Sequence, residues 1–241
     1  MQLYDRLRRL GAAGKYDDVM SVIRILIKDR RERPDVRMYT AVIHSFVNPD
    51  EGTAGKVRRV LDEMQEFGVE LDAWGCHCVL EALAVHPDYL LRNEILDYMT
   101  ERWWSLTDRG HNMVVAGLLR DRHFEMALEK VQEMVARRMK VEDWLWDKMM
   151  WVLLDYGEME ECYQVLLLRQ NNGSGKLNPA LWMQFLDRAA SMHHVGSHNT
   201  ISLYIQIGKG KLIGRVVRSR LPNLANPSHP QLPQTSNRHL S

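Results

Sequence analysis

The stretch from Asp108 to Glu142, DRGHNMVVAGLLRDRHFEMALEKVQEMVARRMKVE, decides how the rest of the chain is read. His111, Val114, Val115 and Leu118 fall at helical spacing, the charged run Arg120 to Arg122 interrupts them, and Ala127, Val131 and Met134 resume the spacing. Two apolar stripes with a polar break between them make one helical hairpin. Sliding this segment along the chain aligns starts at Met1, Val36, Ala73, Asp108 and Asp143, with steps of 35, 37, 35 and 35 residues. A fixed period in this range marks a stacked array, in which no unit buries its apolar face without neighbours. The expected fold is therefore all-α.

Outward from that segment, the array is expected to span 1–178 as units 1–35, 36–72, 73–107, 108–142 and 143–178. In the first unit Tyr4, Leu7, Leu10, Val19, Ile23 and Leu26 form the stripe, Gly11 to Gly14 break it, and Pro34-Asp35 closes the hairpin. Proline cannot continue a helix, and Asp can cap the next one by accepting from a first-turn amide. The second unit holds its two extra residues in the turn Asn48 to Gly55, and the third turns at His86-Pro87-Asp88. The fifth ends in the flexible sequence Asn171-Asn172-Gly173-Ser174-Gly175. Residues 179–190, with Leu181, Trp182, Phe185 and Leu186, read as the first helix of a partial sixth unit. From 191 to 241 the composition changes: a β-prone run at Thr200 to Ile207, four prolines and no acidic residue suggest a basic, mostly disordered tail.

Apolar residues at 45% and charged ones at 26% fit a globular chain, and no apolar run approaches the roughly 18 residues of a membrane span. Cys76, Cys78 and Cys162 are too few for a disulfide framework and are expected as free thiols in a reducing compartment. No presequence precedes the first repeat, and together with the break in the sixth unit this raises the expectation of a truncated or altered product of a longer chain. The net charge of +1 hides an asymmetry. Residues 1–187 carry 25 basic against 31 acidic residues, and seven cations follow with no acid. An acidic array is a poor non-specific ligand for phosphate backbone.

A small residue where the two helices cross would indicate tetratricopeptide repeats, but the eighth residues here are Arg8, Ile43, Leu80, Val115 and Met150. An aromatic in fourth place (Tyr4, Tyr39, Trp146), methionine late in the second helix (Met64, Met99, Met134) and Pro34-Asp35 or Leu71-Asp72 at the join resemble instead the pentatricopeptide repeat family. Within it, the run Tyr4 to Leu166 most resembles the helical-repeat proteins of fungal mitochondria. The resemblance implies a right-handed α-solenoid of about five helical hairpins of ~35 residues. It also implies a non-catalytic adaptor that binds single-stranded RNA and acts in mitochondrial transcript processing, stability or translation.

In such proteins each unit reads one base with the fifth residue of its first helix and the last residue of the unit, which flank an unstacked base. The implied positions are Asp5 with Asp35, Thr40 with Asp72, His77 with Thr107, Asn112 with Glu142, and Asp147. Thr40 with Asp72 matches a pair implying guanine, and Asn112 with Glu142 resembles one implying uracil; the others match no usual pair. Trp103-Trp104 sits in an inter-unit loop where two adjacent indoles cannot both face inward, so a base or a partner protein is expected to stack there.

Chemistry is not indicated elsewhere. Cys76-His77-Cys78 points to different faces of one helix and reads as core rather than zinc ligand. Gly173-Ser174-Gly175-Lys176 lacks the following Ser or Thr of a phosphate-binding loop, and His193, His194 and His198 have no acidic or thiol partner nearby. Most of Trp144, Trp146, Trp151 and Trp182 are expected in the core. No catalytic residue, metal, cofactor or small-molecule substrate is expected. The alternative function is a protein-interaction scaffold, an assembly factor without direct RNA contact.

Overall fold

The computed structural model describes residues 2–172 and 178–192, and all regular structure among them is helical. The helices are α1 (Gln2–Ala12), α2 (Tyr16–Arg24, continued by a π-helical turn at Ile25–Asp29), α3 (Val36–Ser45), α4 (Ala54–Glu66), α5 (Ala73–Val85) and α6 (Tyr89–Glu101). They continue with α7 (Asp108–Arg120), α8 (Phe124–Ala136), α9 (Asp143–Tyr156), α10 (Met159–Asn171) and α11 (Pro179–Met192). The described residues divide into two units, one up to Asn178 and one beginning at Pro179, of which only 179–192 is described. The first is an all-α solenoid of helical hairpins. In the second, α11 stacks its own Trp182 and Phe185 rings at 5.6 Å. The β-prone run at 200–207, the histidines at 193, 194 and 198, the glycine-rich 173–176 and the basic tail from 193 lie outside the described residues.

Helix starts follow from local chemistry. Asp35, Thr53, Asp72, Asp88 and Thr107 each have extended backbone and accept a hydrogen bond from the amide three residues on, satisfying a donor that the helix itself leaves open. Each such cap is worth about 1 kcal/mol. Glu142 occupies the same place before α9 without a side-chain capping bond.

The first helices of the hairpins, α1, α3, α5, α7 and α9, pack successively against one another, while each second helix packs on its own partner. In α1 the approach is so close that a Cβ on Gly11 would lie 2.8 Å from the Ala41 carbonyl oxygen of α3, so only glycine fits. Leu7, Val19, Val22 and Leu26 form the first hairpin's core together with Met38 and Ala41 of the next unit. Farther along, Val79, Leu80, Val115, Met149, Met150 and Leu154 are fully buried. Burial of each such side chain contributes roughly 1.5–3 kcal/mol, and the clusters are shared between neighbouring units.

One buried charge pair ties the third unit to the fourth: Arg92 lies 2.6 Å from Asp121, close but poorly aligned for a hydrogen bond, in space left by Gly117. A second regularity marks the joins. Arg31, Gly68, Trp103 and Arg138, each two residues past the end of a second helix, all have left-handed backbone, with φ of 55°, 65°, 57° and 57°. Glycine adopts this freely, whereas it costs other residues roughly 1 kcal/mol or more. Among the described residues no helix is long and apolar enough to cross a membrane.

Candidate nucleic-acid interface

Charge is divided between the two helical layers. The five first helices carry 7 Lys or Arg against 6 Asp or Glu, whereas the second helices, with the π-helical turn, carry 8 against 14. The acidity of the array therefore resides in its second layer, and the first layer is close to neutral. On the first layer, the second residues of successive helices alternate as Arg37, Trp74, Arg109 and Trp144, all exposed. Cations alternating with indoles at one place per unit supply both the charge and the flat apolar faces that a single-stranded nucleic acid requires.

These side chains are held in place. Arg37 donates to Asp35 at 2.6 Å and lies 3.6 Å from the Tyr4 ring centroid; Arg8 lies 4.9 Å from the Trp74 ring centroid, with His44 edge-on to the same indole. Arg109 Nε donates to Glu81 at 2.6 Å, and His44 Nε2 lies 3.0 Å from the other oxygen of that carboxylate, so one bracket spans three units. Burial alone would raise the Glu81 carboxyl, but the hydrogen bonds from His44 and Arg109 overcome it and hold it at about 2. Farther along, Lys148 on α9 is pushed down to about 8 by burial and by the nearness of Arg120, and among the described residues no carboxylate pairs with it.

The residues expected to read bases fall into two groups. Thr40 and Asp72 converge: a Cβ on Gly75 would lie 3.1 Å from Thr40 Oγ1 and 3.2 Å from Asp72 Oδ1. The Thr40 hydroxyl is buried without a hydrogen-bond partner, and Asp72 uses Oδ1 to cap α5. Both line a cleft of about 860 Å³ together with Asp5, Arg8, Arg37 and Trp74. Asp35 stands at the start of α3, capping it with one oxygen and pairing with Arg37 through the other.

In the later units the same places serve the joins. His77 Nδ1 lies 2.7 Å from the Ala73 carbonyl, which assigns the proton there, and its Nε2 accepts from the Thr107 amide at 3.1 Å. Thr107 caps α7. Asn112 is fully buried; its amide donates to the Asp108 and Lys140 carbonyls at 2.6 and 2.9 Å, and its oxygen accepts from the Glu142 amide at 2.9 Å. Glu142 pairs with Lys140 at 3.1 Å. Asp147 accepts from buried Arg169 at 2.7 Å.

Tryptophans divide as well. Trp146 and Trp182 are buried, but Trp144 and Trp151 on the outer face of α9 are 41% and 39% exposed. Trp104 is half-buried, edge-on to Tyr98, whereas Trp103 is 94% exposed. The Arg/Trp alternation in second place and the division of charge between layers were both present in the sequence; reading each unit only at its fifth and last places passed over them. Burial pushes the Cys76 and Cys162 thiols up to about 12 and Cys78 up as well, so none is a ready nucleophile or ligand.

A solenoid of stacked two-helix units defines the class: a helical-repeat protein. Residues 59–103 match the pentatricopeptide repeat domain. The fold is that of solved pentatricopeptide repeat proteins. PPR10 from maize is 17% identical, with a TM-score of 0.56 over 84% of this chain and 28% of that one. PPR10 in complex with an 18-nt psaJ RNA element gives 17%, 0.58, 86% and 33%. The corresponding domain of Arabidopsis thaliana protein-only RNase P 1, in complex with tRNA, gives 11%, 0.56, 78% and 96%. The chain thus spans about a third of the length of PPR10. No curated protein sequence matches it.

Proposed function

We propose that this chain is a pentatricopeptide repeat protein that binds single-stranded RNA along its first helices. It acts by binding rather than by chemistry, as an adaptor in organellar, and specifically mitochondrial, transcript processing, stability or translation. The observation that carries the reading is the exposed row Arg37, Trp74, Arg109 and Trp144 on the less acidic layer. Stacking on an indole is worth about 1–3 kcal/mol per base for any base, and the arginines add phosphate contacts. Similarity in fold to PPR10 and to the RNase P 1 domain, each solved with RNA, supports it.

Base reading is concentrated in the first two units. There Asp5, Thr40 and Asp72 face a cleft wide enough for a nucleobase, and the orphan Thr40 hydroxyl with a nearby carboxylate suits the mixed donor and acceptor edge of guanine. His77, Asn112 and Asp147 stabilise the array instead, so recognition over the later units depends on stacking and charge. The test is binding of the full chain to a pool of single-stranded RNA across salt concentrations. We expect micromolar or tighter binding that weakens with salt, and G-containing sequences enriched by selection. No binding at any salt would exclude the proposal.

The engagement of three fifth-place side chains within the protein favours a second reading, a protein-interaction scaffold using the acidic second layer. Partners of that kind would co-purify after nuclease treatment, and their complete loss with RNA removed would count against it.

A further inference from the structure

The joins carry a feature that the first-helix row does not use. Arg31, Trp103 and Arg138 occupy the same place in the first, third and fourth units, in the left-handed conformation that glycine takes in the second at Gly68. The backbone itself is explained, because the next amide closes the helix end by bonding back to the last turn, Glu32 to Leu26, Trp104 to Met99 and Met139 to Met134 at 2.9–3.0 Å. That motif gives no reason for a side chain in place of glycine. All three side chains are exposed, Trp103 almost completely, and none makes a hydrogen bond, ion pair or ring contact among the described residues. Directly before them stand Arg30, Arg102 and Arg137. Cations at helix C-termini complement the dipole, which accounts for these three. It does not account for side chains one residue farther out, where glycine is the unstrained choice.

We propose that the edge formed by these joins is a second RNA contact, in which Arg31 and Arg138 hold backbone phosphates and Trp103 stacks on an unpaired base. The inference rests on the RNA-binding reading and extends it to a different surface. A guanidinium on a splayed, unpaired side chain is free to fork onto phosphate oxygens, and an indole open on both faces accepts any base. The joins lead directly into the first helices at Val36, Ala73, Asp108 and Asp143, so a strand lying across those helices passes beside them. In the second join Gly68 stands between Glu66 and Glu70, which leaves that position without a cation. The contact is therefore divided, with one phosphate at the first join and a phosphate and a base at the third and fourth.

The test is the variant R31G/W103G/R138G in the full chain. Glycine relieves the left-handed backbone, so the fold is kept and the thermal midpoint is equal or higher. Binding to a mixed-sequence single-stranded oligonucleotide is measured from about 50 to 200 mM salt. The expected result is an affinity reduced roughly tenfold and a log–log salt slope less negative by about 1.4, the value for two lost phosphate contacts on a single strand. R31K/R138K, which keeps the charge, is expected to retain the wild-type slope. Equal affinity and slope for wild type and glycine variant would overturn the edge contact while leaving the first-helix reading intact. Loss of an acidic protein partner with RNA binding unchanged would overturn it in favour of a protein surface. A wild-type chain that binds no RNA would remove both.

Discussion

The second and fourth units use the same place in the repeat for opposite purposes. In the fourth, Asn112 is fully buried and uses both its donor and its acceptor to fasten the backbone of the next join. In the second, Thr40 leaves its hydroxyl unpartnered beside Asp72, at the edge of a cleft. Register fixes where the fifth side chain points. Its length and hydrogen-bonding inventory decide whether it fastens the protein to itself or is left with an unmet hydrogen bond.

The two units are linked through Glu81, which bonds His44 from one and Arg109 from the other, and here the largest effect is expected. Its pKa is depressed in the folded state, so the stabilisation is fully present above the unfolded value of about 4.5 and is lost as pH falls towards 2. The shift corresponds to about 3 kcal/mol. Thermal unfolding followed from pH 7 to 2 should show a steep loss of stability in wild type between about pH 5 and 2. Glu81→Gln should start lower and change less over that window.

Next in size, Asn112→Ala should destabilise the fold by about 2 kcal/mol, because it strands the Glu142 amide in a buried join. RNA affinity of the folded fraction should stay unchanged. Thr40→Val should do the reverse: stability raised by about 1 kcal/mol, since it removes a buried hydroxyl that has no partner, with weaker binding of G-containing RNA. Denaturant titrations paired with binding isotherms check both. If Thr40→Val unfolds the protein or Asn112→Ala alters base preference, the contrast between the units fails.

The smallest effect concerns Lys148. Phosphate binding should raise its lowered pKa, so RNA affinity should fall a few-fold as pH rises past about 8. Lys148→Arg should remove that dependence, because arginine stays charged throughout. Fluorescence anisotropy from pH 7 to 9 reads it.

The fold was legible because it rests on local signals. Apolar spacing and the capping Asp35, Asp72 and Thr107 give the period and the helix starts, and each acts within a few residues. The π-helical turn at Ile25–Asp29 left no comparable signal. The site was legible only in part. That Asn112 reaches Glu142, or that His77 reaches Thr107, depends on how closely adjacent hairpins approach, which Gly110 permits: a Cβ there would lie 2.9 Å from the His77 ring. Trp144 and Trp146 differ by two places on one helix, so they point to different sides, and only the stacking of α9 on α7 settles which is buried.

Photocrosslinking of 4-thiouridine-substituted single-stranded RNA to the full chain, mapped by mass spectrometry, tests the central claim most directly. The account predicts adducts on the first helices at Tyr4, Trp74 and Trp144. Adducts confined to the second helices α4, α6 and α8, or none at a concentration where RNA is bound, would contradict it.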